Sequence, residues 1–126
     1  MIFTTKYLLI NLQRGDVVLC RVPMPSTRFT QFKVRPAVVI SATQLNQILD
    51  DLMVVPCTSN TNCPLTVTQY LITGDEIVSA GIRIESVVRC ESIFTLNNSM
   101  ILRKLGLLSS EAINRVNFCL TAALEL

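Results

Sequence analysis

The sequence predicts a mainly β domain of the α+β class, finished by one C-terminal helix. Three observations carry that reading. Pro36 to Ile40 is an unbroken apolar run with three β-branched residues, the composition of a buried strand. Ile82 to Ile93 alternates with period two, as a half-buried strand does. After Ser109, the residues Ile113, Val116, Leu120 and Leu124 recur at helical spacing, joined by Cys119 and Ala123. A chain of 126 residues is enough for one domain with a modest core. Half of its residues are hydrophobic, which argues against disorder. We divide it into an N-terminal arm over residues 1–13 and a single domain over residues 14–126.

The arm holds one apolar run, Tyr7-Leu8-Leu9-Ile10, too short to span a bilayer and followed by no small-residue cleavage site. It reads as an arm or extra strand packed on the domain. Arg14-Gly15-Asp16 is a turn signal, and Asp16 to Val22 reads as the first strand. Pro23 to Lys33 reads as a long polar loop in which Phe29 and Phe32 interleave with Arg28 and Lys33. Cations beside aromatics suit single-stranded RNA, by phosphate attraction and base stacking; the alternative is that the phenylalanines fold back onto the core.

The central strand, Val34 to Ser41, carries Arg35 directly before Pro36. Proline restricts the preceding residue to extended geometry and belongs at a strand start or an edge. Arg35 is thus expected at a strand entrance, suited to meeting an anion in fixed orientation, although a solvated arginine would satisfy the same pattern. Thr43 to Leu49 reads as one helical turn. Leu52 to Val55 reads as a strand ending at Pro56, with the hydroxyls of Thr58 and Ser59 just beyond it, placed to bind phosphate oxygens or to satisfy a turn. Asn60 to Pro64 is a loop, Leu65 to Ile72 a strand, and Gly74 to Gly81 a turn region with a short apolar piece.

In the alternating stretch, Ile82, Ile84, Ser86, Val88 and Cys90 share one face, and Arg83, Glu85, Val87, Arg89 and Glu91 the other. Arg89 and Glu91 therefore point the same way, as a solvated ion pair also would. Phe94 to Lys104 reads as a turn or short strand broken at Asn97-Asn98, and Gly106 ends the segment. Ser109 suits an N-cap and Glu111 the first helical turn.

The net charge is only +2, but it is uneven: Lys6, Arg14, Arg21, Arg28, Lys33 and Arg35 stand against Asp16 alone up to residue 35. A basic front half fits a phosphate-bearing partner. There is no histidine, and the five cysteines form no close CxxC pair, which argues against a zinc site. An odd cysteine count without a secretory signal fits a reducing cytoplasm, and most of these cysteines look like small core residues. Lack of histidine also removes serine–histidine and cysteine–histidine catalysis, leaving Arg, Lys, Asp, Glu, Tyr, Ser, Thr or Cys for any chemistry.

In order and spacing, Gly15-Asp16-Val17-Val18-Leu19, Pro23 and Pro25, Arg35-Pro36-Ala37-Val38-Val39-Ile40-Ser41, Val55-Pro56-Cys57-Thr58-Ser59, Ser86-Val87-Val88-Arg89-Cys90-Glu91 and Leu105-Gly106-Leu107-Leu108-Ser109 resemble the MazF/PemK family of toxin endoribonucleases. The resemblance runs from Arg14 to the C-terminus. It implies a small SH3-like β-barrel with a C-terminal helix, a homodimer, and a cognate antitoxin protein as partner. It implies cleavage of single-stranded RNA without metal or cofactor, by attack of the ribose 2′-hydroxyl to leave 2′,3′-cyclic phosphate and 5′-hydroxyl ends. Arg35 and Thr58 fall on the family's catalytic arginine and threonine. Arg89 and Glu91 fall where PemK-like members carry an arginine and an aspartate. Gln31 matches a loop glutamine near the RNA groove, and Arg28, Thr30, Lys33 and Ser59 complete the expected RNA-binding set. Thr30 stands where many members have glutamate, Phe29 where some have histidine, and Lys33 where glycine is common. Glu91 is then the remaining candidate for the general base, its neighbour Arg89 favouring the ionised form. Two other readings stay open: a gyrase-binding toxin like the CcdB relatives, and an RNA-binding module without cleavage.

Overall fold

The structure, a computed structural model, describes residues 11–126. The apolar run expected to anchor the arm lies outside the described residues. Of the arm's end, Leu12 is buried against the domain.

Among the described residues, seven strands make one antiparallel sheet: β1 (Asp16–Pro23), β2 (Phe32–Val39), β3 (Asp51–Thr58), β4 (Gln69–Ile72), β5 (Ser86–Arg89), β6 (Phe94–Asn97) and β7 (Ile101–Leu107). Their order is β4-β5-β3-β2-β1-β7, with β6 added to β3. Three α-helices among the described residues punctuate it: α1 (Thr43–Ile48), α2 (Glu76–Ala80) and α3 (Ser110–Leu124). Period-two alternation divides the core between the two faces. Val17, Val38, Val55, Cys57 and Val88 pack beneath α3 through Ala112, Val116, Cys119 and Leu120. Val18, Cys20, Ala37, Val39, Leu52 and Val54 face the other way, where Leu96 of β6 and Ile101 of β7 join them. That second face folds over on itself, as the SH3-like class requires, although the strand order leaves the sheet open rather than closed.

Both prolines sit inside strands, not at their ends. Pro36 pairs with Leu19 in β1, and Pro56 pairs with Ala37 in β2. A missing N–H is tolerated there because each lies where pairing changes. On the β3 side of β2, pairing begins only at Ala37. On the outer side of β3, β6 pairs as far as Val54 and β5 begins at Cys57, so Pro56 falls in the gap.

Other boundaries moved. The strand expected over Leu65 to Ile72 shrinks to β4, and the long alternation over Ile82 to Ile93 contributes only β5. Ile84 is 58% exposed although it shares a face of the alternation with buried Val88 and Cys90, and Val87 on the opposite face is buried. β7 runs through Gly106 instead of stopping there. The apolar piece between Gly74 and Gly81 is α2. Four of the five cysteines are buried and all are free.

The last helix begins as expected. Ser109 caps it by accepting from the Ala112 N–H at 3.1 Å. The same hydroxyl donates to Glu76 Oε1 at 2.6 Å while the Ser109 N–H donates to Oε2 at 3.0 Å, so α2 is fastened to the start of α3. A cap of this kind contributes about 1 kcal/mol.

Candidate functional site

Strands β2 and β3 pair only between Ala37↔Pro56 and Val39↔Val54. Past that stretch they part, β2 staying with β1 and β3 turning to β5. The same register, continued, sets Arg35 opposite Thr58. The two residues therefore stand on opposing lips of the opening between the strands. A cleft of about 540 Å³ lies there, lined by both of them and by Lys33, Ser59, Arg83 and Arg103. A smaller hollow of about 170 Å³ adjoins it, with Arg89, Met24 and Phe94 in its wall. Lys33 and Arg35 line both, so the two concavities meet at them.

The charge is one-sided. Lys33, Arg35, Arg83, Arg89 and Arg103 line these walls, and no aspartate or glutamate does. The ion pairs among the described residues are Arg89–Glu91 and Lys104–Asp16, so four of those cations enter none. Removed from countercharge, clustered guanidinium groups raise the local potential and attract phosphate.

Each expected residue has a definite place. Arg35, Thr58, Ser59 and Lys33 meet at the large cleft. Thr58 Oγ1 accepts from the Asn60 N–H at 3.2 Å, which satisfies the turn and leaves its own hydrogen to donate. Arg89 reaches the smaller hollow. Glu91 lines neither concavity: Oε1 accepts from Thr68 Oγ1 at 3.0 Å, and Oε2 from Gln69 Nε2 at 3.0 Å and Arg89 Nε at 3.1 Å. Partial burial pushes the Glu91 carboxyl up, but the hydrogen bonds from Gln69, the backbone, Thr68 and Arg89 outweigh it, and the net shift is below the usual range.

Arg28, Thr30 and Gln31 stay outside both concavities, on the loop between β1 and β2. That loop closes on itself: the Met24 N–H donates to the Gln31 carbonyl, and the Thr30 hydroxyl to the Thr27 carbonyl at 2.6 Å. Phe29 and Phe32 are exposed at 57% and 49%, so they do not fold back onto the core. Two cleft arginines, Arg83 and Arg103, are absent from the sequence-derived set. Arg83 had a signal, since it shares the Arg89 face of the alternation. Arg103 had none; it reaches the cleft because β7 pairs Arg103 with Leu19.

The thiol that lines the cleft, Cys57, is not ready to act as a nucleophile. Burial pushes Cys57 up to about 12, against a lowering by the nearby Arg35 charge, and Cys20 up to about 11. Among the described residues no three Cys, Asp or Glu gather to hold a metal, and no helix is long and apolar enough to cross a membrane.

Comparison with known proteins places this arrangement. The chain is similar to an endoribonuclease from a mycobacterial species, at 21% identity and a TM-score of 0.72 over 92% of this chain and 93% of that one. It is similar to a mycobacterial endoribonuclease solved with its cognate antitoxin, at 21% identity and 0.73 over 91% and 96%. It is similar to MazF in a MazE-MazF crystal structure from Deinococcus radiodurans, at 19% identity and 0.71 over 92% and 97%. These likenesses establish the fold. No curated protein matches it in sequence. Residues 13–124, spanning the whole sheet, both lips of the cleft and the capped final helix, match one family throughout, and the chain belongs to the PemK-like, MazF-like toxins of type II toxin–antitoxin systems.

Proposed function

We propose that this toxin is an endoribonuclease that cuts single-stranded RNA at short sequences, without a metal, and so inhibits translation and growth. The observation that carries the reading is the cleft in which Arg35 and Thr58 stand on opposing lips, with cations and no carboxylate in its walls. The ribose 2′-oxygen forms a bond to the adjacent phosphorus as the bond to the 5′-oxygen breaks. Water takes the 2′-hydroxyl proton, and water supplies the proton that the 5′-oxygen gains. Products are a 2′,3′-cyclic phosphate and a 5′-hydroxyl. Negative charge builds on the non-bridging oxygens during attack, and fixed donors aimed there stabilise it. We assign Arg35 to that charge, because a guanidinium with a pKa above about 12 is a poor proton donor in water. Thr58 donates its free hydroxyl hydrogen. Arg89 supplies a second guanidinium. Glu91, which lines neither concavity, fixes Arg89 rather than taking the 2′-hydroxyl proton. Lys33 and Ser59 hold the strand in the cleft, and Arg28, Thr30 and Gln31 contact it from the loop. By the same reading the chain works as a homodimer, is neutralised by a cognate antitoxin, and acts in the cytoplasm.

Incubation with a long RNA in excess EDTA, followed by end analysis, should give cyclic phosphate and 5′-hydroxyl ends. On a defined RNA at single turnover, Arg35→Ala should lower the rate by roughly a hundredfold or more while circular dichroism stays native. Arg35→Lys should also be impaired, since an ammonium cannot reproduce the planar fork. Thr58→Val should lose less, and in rate more than in affinity. A folded Arg35→Ala protein that cuts at the parental rate would remove Arg35 from the site, and a parental chain that binds RNA without cutting it would be an RNA-binding module.

A further inference from the structure

We propose that Arg83 and Arg103 form a second phosphate-binding subsite in the large cleft, which holds the RNA backbone away from the cut and contributes affinity rather than chemistry. The inference rests on the endoribonuclease reading of the same cleft. Neither residue neighbours Arg35 in sequence, and a specific packing device unites them. Gly81 ends α2 at φ +73°, and a Cβ there would lie 2.0 Å from the Leu105 carbonyl oxygen. A Cβ on Gly106 would lie 2.3 Å from the Ser79 carbonyl oxygen. Two glycines thus let the end of α2 lie backbone-to-backbone on β7. The chain leaving Gly81 carries Arg83 into the cleft wall, to which β7 contributes Arg103. Both are exposed, neither enters an ion pair among the described residues, and no carboxylate lines the cleft to neutralise them. Exposed Ile84, at 58%, lies in the same wall beside Leu105 and gives apolar contact beside the charges. Guanidinium pairs over an apolar floor suit a phosphodiester chain with bases attached.

The test uses Arg83→Gln, Arg103→Gln and the double variant with a 2′-O-methyl oligoribonucleotide of randomised sequence, which lacks the attacking hydroxyl and stays intact. Each single variant should lower the slope of log affinity against log salt by about 0.7, the value for one released contact on a single strand. The double variant should bind roughly tenfold or more weakly at moderate salt. On cleavable RNA the loss should appear in KM far more than in kcat. Parental affinity and salt slope in the double variant would overturn the subsite, and so would a loss confined to an acidic antitoxin peptide. The nuclease reading would survive either result if Arg35→Ala still abolished cutting. A chain that never cuts RNA, but whose salt slope falls in these variants, would keep the subsite and reject the nuclease.

Discussion

At the scale of single residues, the informative carboxylate is Glu91. A general base must face the proton it takes, and general-base catalysis contributes about a hundredfold to ten-thousandfold. Glu91 instead accepts from three side chains and lines neither concavity. Orienting Arg89 through one charge-assisted bond is a smaller effect, about 1.4 kcal/mol or tenfold in rate. Glu91→Gln should therefore slow single-turnover cleavage about tenfold and leave the shape of the acidic limb of the pH–rate profile as it was. A loss of a thousandfold, with that limb abolished, would restore Glu91 as the base. Stability gives an independent reading. The native carboxyl titrates below its ordinary range. Its contribution is complete above the unfolded-state pKa and disappears as pH falls through the lower native value. The stability difference between parent and Glu91→Gln should thus be largest near neutral pH and shrink in acid, measured by urea denaturation at each pH.

At the scale of elements, α2 and β7 approach closely, backbone to backbone, near the site. Gly106→Ala would bring a methyl group to 2.3 Å from Ser79 O and 2.7 Å from the Ala80 carbonyl carbon. Those are main-chain atoms and cannot rotate away, so α2 must lift. Overpacking of this kind costs about 1–3 kcal/mol. Gly106→Ala should lower the urea midpoint accordingly and weaken RNA binding, because the Arg83 wall moves with α2; equal stability and affinity would show that the two elements separate freely. This contact also marks where sequence reading stopped. β1, the core of β2 and α3 were legible because their periodicity and Ser109 cap are local. Arg35 and Thr58 were legible only through the family pattern, since each alone resembles a solvated arginine or a turn hydroxyl. The prolines misled because their tolerance depends on which neighbouring strand is missing at that point, a tertiary fact. Arg103 was invisible for the same reason: its place depends on pairing with Leu19, far away in sequence.

Across the whole molecule, a net charge of +2 conceals a sorting of sign. Four of the nine acids are engaged in structure: Asp16 with Lys104, Glu76 with the Ser109 cap, Glu85 with Thr73, and Glu91 with Arg89. The cations of the cleft are left without acidic partners in its walls. Such a surface does not distinguish phosphates from carboxylates by charge alone. An acidic protein segment with apolar anchors should settle in the same cleft, its carboxylates on Arg35, Arg83 and Arg103 and its anchors against Val34 and Ile84, which are 51% and 58% exposed. The cognate antitoxin should therefore compete with RNA for one set of charges. With a labelled non-cleavable RNA, saturating antitoxin should abolish binding, and excess RNA should displace the isolated acidic segment. Added salt should weaken both complexes, RNA more steeply, because released counterions add to ordinary screening. Arg83→Gln combined with Arg103→Gln should weaken both partners together. An RNA affinity that stayed the same with antitoxin bound would show that the two occupy separate surfaces, and neutralisation would then have to act through the fold rather than the cleft.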